Sequence, residues 1–162
     1  MTTDKRMKRR AILLFTLDRP GVLNKISMLI RRKMYNVETL TVCGTIRPGV
    51  SRMTITLFED SDDKMLQVIK QVEKITEVIS AKELDINESF WREVVIVKAE
   101  ADPSLLEELA GQYNFEILDK QNHGLFIIQV AGTSQKIDDF LQELGEGKVI
   151  EAARTGFTAL EK

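Results

Sequence analysis

The segment Leu17-Asp18-Arg19-Pro20-Gly21-Val22-Leu23 carries the residues best suited to hold a small anion. An apolar run from Ala11 to Thr16 leads into Asp-Arg-Pro-Gly, and an amphipathic helix follows at once. Asp18 is expected to cap that helix, and Pro20 to sit in its first turn, where a missing N–H costs nothing. Gly21 brings no side chain to block a ligand. The amides of Gly21, Val22 and Leu23 then have no intrahelical partners, and with the helix dipole they favour a carboxylate or phosphate. Asn36 adds a second polar group where the helix gives way to the next strand. Helix start and helix end become two sides of one cleft if two copies of the unit sit side by side. The competing reading is a loop that does no more than start a helix.

Material for catalysis is sparse. A catalytic site needs a nucleophile with a base, a metal cluster or paired carboxylates in a defined frame. The chain has one His and one Cys. His123 reads as a turn residue and Cys43, in an apolar strand, as a small core residue. No phosphate-loop or dinucleotide glycine pattern is present. The surviving enzymatic reading is an acylphosphatase-like site, with Arg19 and Asn36 cradling phosphate. A small-molecule-gated transcription regulator would need a helix-turn-helix, and none precedes Arg10.

These residues must be positioned by a 162-residue chain that is 43% hydrophobic and 30% charged, with net charge -2. That composition describes a soluble globular protein with no global pull toward nucleic acid. No apolar run approaches the ~18 residues of a membrane helix, and no signal-peptide core is visible, so a cytoplasmic protein is expected. One cysteine rules out an internal disulfide and fits a reducing compartment. Residues 1–9 read as a basic, solvated tail.

The elements come in two matching sets. Arg10–Leu17 is β-rich, and Pro20–Tyr35 carries Val22, Leu23, Ile26, Leu29 and Ile30 at helical spacing. Val37–Gly44 and the alternating stretch through Met53, Ile55 and Leu57 are strands, separated by Arg47-Pro48-Gly49 turn chemistry. A helix opens at Asp60–Asp63, and Val78–Ile86 closes the unit. Residues 87–162 repeat the order, with helices at Pro103–Tyr113 and Ser134–Leu144. The result is an α+β protein with two ferredoxin-like βαββαβ units in tandem (10–86 and 87–162), each a four-stranded antiparallel sheet with two helices on one face. Tyr35-Asn36-Val37-Glu38 even echoes in Tyr113-Asn114-Phe115-Glu116. The second copy lacks the glycine after its Asp102-Pro103 and is expected to keep the fold without the cleft.

The first unit resembles an ACT domain, the small ligand-sensing module of amino-acid metabolism. Asp18–Leu23, Tyr35–Leu40 and Pro48–Thr54 are similar to the small, regulatory subunit of acetohydroxyacid (acetolactate) synthase. Arg92-Glu93, Ala131–Ser134 with Lys136-Ile137-Asp138, and Glu151–Gly156 extend the resemblance to nearly the whole chain. It implies a non-catalytic homodimer with no cofactor of its own, which activates a catalytic large subunit carrying thiamine diphosphate, Mg and FAD. It also implies feedback by a branched-chain amino acid, valine first, on Asp18, Gly21, Val22, Leu23, Asn36 and Val37. In that scheme the amides take the carboxylate, Asp18 and Asn36 the ammonium, and Val22, Val37 and Ile46 wall the side chain. A stand-alone amino-acid sensor of another enzyme is the alternative. Met34 departs from the family's glycine before the aromatic-Asn pair, which implies a different turn or a strain cost. Arg47 stands where an acidic residue is common.

Overall fold

The computed structural model describes residues 8–145 and 147–162. The first unit runs β1 (Arg9–Leu17), α1 (Val22–Arg32), β2 (Thr39–Gly44), β3 (Val50–Phe58), α2 (Asp62–Val72) and β4 (Val78–Glu83). Its antiparallel sheet has the order β2-β3-β1-β4. Alternate residues Ile12, Leu14, Met53, Ile55 and Leu57 point to one face and meet Val22, Ile26 and Ile30 of α1 and Met65, Val68 and Val72 of α2 in one core. The i, i+4, i+8 spacing on α1 places those three side chains in a single stripe, and burial of each contributes about 2 kcal/mol. The expected basic tail lies outside the described residues except for Lys8 and Arg9, and Arg9 already opens β1.

The second unit runs β5 (Ser89–Glu100), α3 (Pro103–Ala110), β6 (Phe115–Lys120), β7 (Leu125–Gly132), α4 (Ser134–Leu144) and β8 (Val149–Arg154). Its strand order, β6-β7-β5-β8, repeats that of the first unit, and β9 (Thr158–Glu161) adds itself to β5. The extra strand is absent from the sequence reading because Thr-Ala-Leu-Glu is too short to show a period. The compact units divide between Phe90 and Trp91, and Ala159–Lys162 groups with the first unit, although the sequence places all of 87–162 in the second. Arg52 of β3 holds that end by donating to the Ala159 carbonyl while its guanidinium lies 5.7 Å from the Phe15 ring centroid.

The duplication reaches the backbone detail. Pro20 and Pro103 correspond, which aligns Phe15-Thr16 with Lys98-Ala99. A register shift falls between each of these pairs. Leu17 N–H donates to Glu77 O at 2.8 Å, and Glu100 N–H to Lys148 O at 2.9 Å. Asp18 N–H donates to Gly49 O at 2.9 Å, and Ala101 N–H to Gly124 O at 3.0 Å. Gly49 and Gly124 have φ +74° and +75°, a conformation glycine adopts without a Cβ penalty.

Candidate functional site: the Gly21 loop

The scaffold under the loop is shared by both units, and the loop itself is not. In the second unit Asp102 is the N-cap residue and Pro103 the first helical residue. In the first, Gly21 takes φ +85° and is itself the N-cap residue, so α1 starts at Val22. This corrects two expectations. Asp18 caps nothing, and Pro20 lies before the helix rather than in its first turn. The physical reason is the left-handed glycine, which delays the helix by two residues relative to its duplicate. Ser104, at the corresponding place, is ordinary helix.

The delay exposes donors. Val22 N–H makes a long bond to Arg19 O at 3.4 Å, and the first regular bond runs from Lys25 N–H to Gly21 O at 3.1 Å. The Gly21 and Leu23 amides find no acceptor among the described residues. A Cβ built on Gly21 would meet nothing within 4 Å, so the space above the loop is open. Leu23 is 39% exposed beside it. The Val22 side chain is buried in the core under the helix, so it offers an amide and no wall. Behind the loop, Lys25 Nζ lies 2.5 Å from Glu77 Oε1, and that bond holds the Glu77 carboxyl below its ordinary range. Glu77 carries no motif signal and is invisible in the sequence.

Asn36 is exposed at the opposite end of α1, with Val37 half-buried beside it and Ile46 fully exposed on the β2–β3 turn. An 11-residue helix is about 16 Å long. Asp18, Arg19 and Gly21 therefore do not meet Asn36 within one chain, and Arg19 and Asn36 cannot grip one phosphate there. The turn into Asn36 resolves the Met34 departure. Met34 N–H donates to Arg31 O at 2.9 Å and Tyr35 N–H to Ile30 O at 3.3 Å, the paired bonds of a Schellman end. Met34 sits at φ +63°, so the glycine-type turn is kept and its strain is carried by methionine.

Tyr35 in turn is fixed from below. Its hydroxyl donates to Glu59 Oε2 at 2.7 Å, and Glu59 Oε1 accepts from Ser61 N–H at 2.9 Å. Burial and that carboxylate push the Tyr35 hydroxyl up to about 12, while the Ser61 amide and the Tyr35 hydroxyl hold Glu59 below its ordinary value. One carboxylate thus latches the end of α1 to the start of α2. Tyr113 donates to Glu143 on α4 at 2.7 Å, so the repeated Tyr-Asn pair is in part a packing device.

In the second unit the family-like strings, far apart in sequence, converge. Buried Glu93 accepts from Ser134 Oγ and Arg154 Nε. Arg154 also reaches Asp138 Oδ1 at 2.6 Å and Ser134 O at 3.3 Å. This is a closed network, with β5, α4 and β8 each contributing. Cys43 is exposed rather than core, because on edge strand β2 it stands opposite Arg52, on the face away from the one that Met53 turns to the core.

Residues 12–80 match the family model described as AHAS small subunit-like ACT domain, and residues 92–162 the model described as small subunit of acetolactate synthase. A probable acetolactate synthase small subunit of Archaeoglobus fulgidus is 35% identical over 94% of this chain and 96% of that protein. The acetolactate synthase isozyme 3 small subunit of Salmonella typhimurium is 35% identical over 95% of this chain and 96% of its own. The chain belongs to the acetolactate synthase small-subunit family. The crystal structure of the Thermotoga maritima acetolactate synthase small subunit superposes with TM-score 0.88 at 26% identity, covering 96% of this chain and 98% of that one. The tandem ferredoxin-like plan with an N-terminal ACT domain is thereby shown for this small subunit. No described helix is long and apolar enough to cross a membrane.

Proposed function

We propose that this small subunit is a non-catalytic regulator which binds a branched-chain amino acid, valine first, and controls the catalytic large subunit of acetolactate synthase. The observation that carries this reading is the left-handed Gly21 loop, present in one unit of two otherwise matching scaffolds, with amides left open beneath free space. In the proposed site the Gly21, Val22 and Leu23 amides take the effector carboxylate. Asp18 and Asn36 take its ammonium, and Val37 with exposed Leu23 lines its side chain. Since Asn36 lies a helix length away, it comes from a second copy of the chain, so the site requires a homodimer. Thiamine diphosphate, Mg and FAD belong to the large subunit, and this chain holds none of them. Effector binding favours one pairing geometry and the large subunit another. By reciprocal linkage a coupling of ~1–3 kcal/mol is enough for feedback inhibition.

Calorimetric titration of the purified chain with each of the twenty amino acids tests the reading. A binding event for valine, leucine or isoleucine that is present in the parent and lost in Gly21→Asp supports it. Turnover of pyruvate or of an acyl phosphate by the isolated chain would defeat it.

A further inference from the structure

α3 is 8 residues long where α1 has 11. A cavity of about 290 Å³ opens between α3 and the β6–β7 hairpin. Its wall is core: Leu106 and Phe126 are buried members of the second hydrophobic cluster, and Phe115 packs against it. Ile117, 45% exposed, forms the outer side. Two charged groups complete the lining, Lys120 and Glu107. The Lys120 ammonium lies 5.7 Å from the centroid of the Phe126 ring. Neither the Lys120 nor the Glu107 side chain forms a hydrogen bond or ion pair among the described residues, and both are exposed. The volume is near the lower end, about 300 Å³, of small-molecule sites.

We infer that this cavity is a second small-molecule site, independent of the Gly21 loop, for an amino acid with an aliphatic or aromatic side chain. The apolar wall accepts the side chain and removes its surface from water. Lys120 takes the carboxylate and Glu107 the ammonium, so one zwitterion satisfies both charges. A ligand with an apolar body and a single charge would pair with only one of them. Pro103, at the start of α3, lines the cavity but has no N–H to offer, Asn114 takes no part, and the lining comes from one chain.

The test uses the full chain carrying Gly21→Asp, so that the first loop is silenced, titrated calorimetrically with leucine and with phenylalanine. Binding of one molecule per chain is expected for at least one of them. Lys120→Glu should weaken it at least tenfold, and 4-methylpentanoate and isopentylamine, each lacking one charge of leucine, should bind correspondingly less well. Ala110→Trp, a change at an exposed lining position, should block binding while leaving the melting temperature within two degrees or so. Absence of heat with both amino acids in the Gly21→Asp chain would overturn this site and leave the Gly21 reading standing. Undiminished binding in the Ala110→Trp chain would also overturn it.

Discussion

At the scale of single residues, two backbone positions with positive φ make opposite predictions. Gly21 is left-handed with open space above it, so a side chain there meets strain but no clash. Asp and Asn tolerate this conformation better than most residues, which makes Gly21→Asp and Gly21→Asn a matched pair. Both should fold and melt within about 1–2 kcal/mol of the parent. The aspartate puts a like charge on the amides proposed for the effector carboxylate and should abolish the calorimetric signal of the first site. The asparagine, neutral and of the same shape, should retain it. Equal loss in both would mean that shape rather than charge excludes the ligand. Asn36→Ala should weaken effector binding by about 1–3 kcal/mol, and Asn114→Ala should leave it unchanged. Met34 is the reverse case, a non-glycine residue at φ +63° with its side chain 91% exposed. Met34→Gly relieves the strain and loses little packing, so chemical denaturation should show a gain of about 1 kcal/mol. A loss would show that the methionine contributes a contact worth more than its strain.

At the scale of elements, the latches between helices and strands set the response to pH and to truncation. Glu59 has a depressed pKa, so its contribution is present above the ordinary carboxylate value and fades as pH falls through the lower folded value. Tyr35 has a raised one, so its contribution is whole below pH 10 and fades between 10 and about 12. Melting temperature followed against pH should therefore fall more gently in acid for Glu59→Gln and in alkali for Tyr35→Phe than for the parent. Parallel curves would deny the latch. In the second unit, Arg154→Met strands buried Glu93 with Ser134 alone and should cost about 3 kcal/mol. Adding Glu93→Met to that chain should recover much of the loss, which a double-mutant cycle measures. The order of elements along the chain and the helix stripes were legible because the 2 and 3.6 periods are carried by Ile, Leu and Val at regular places. The loop was harder to read. Asp-Arg-Pro-Gly contains two valid ways to begin a helix, one capped by Asp and the other by a left-handed Gly. The strand-end anchors do not decide it, because the Leu17–Glu77 and Asp18–Gly49 bonds recur as Glu100–Lys148 and Ala101–Gly124 in the second unit. The difference is Gly21 at φ +85° where the second unit has helical Ser104. The Glu93–Arg154 network was present as separate strings whose meeting only the sheet register reveals.

For the whole molecule, the position of Asn36 turns a local geometry into a prediction about assembly. One chain offers a loop with open amides at one end of α1 and an amide side chain about 16 Å away at the other. A ligand the size of valine cannot span them. In the proposed dimer a two-fold axis would place each loop against the partner's helix end and create two equal sites of this kind, one per chain. β2, an edge strand with Leu40 and Val42 about two-fifths exposed, is the kind of surface that association covers. Light scattering at micromolar concentration should therefore give a dimer or larger species. Mixing Gly21→Asp chains with Asn36→Ala chains supplies a sharper test. Each homodimer has two damaged sites, whereas a mixed dimer has one site with both lesions and one with neither. Mixing should restore binding to half of the sites in each mixed dimer. A monomer that binds one effector per chain, or mixtures that recover nothing, would place the whole site within a single chain.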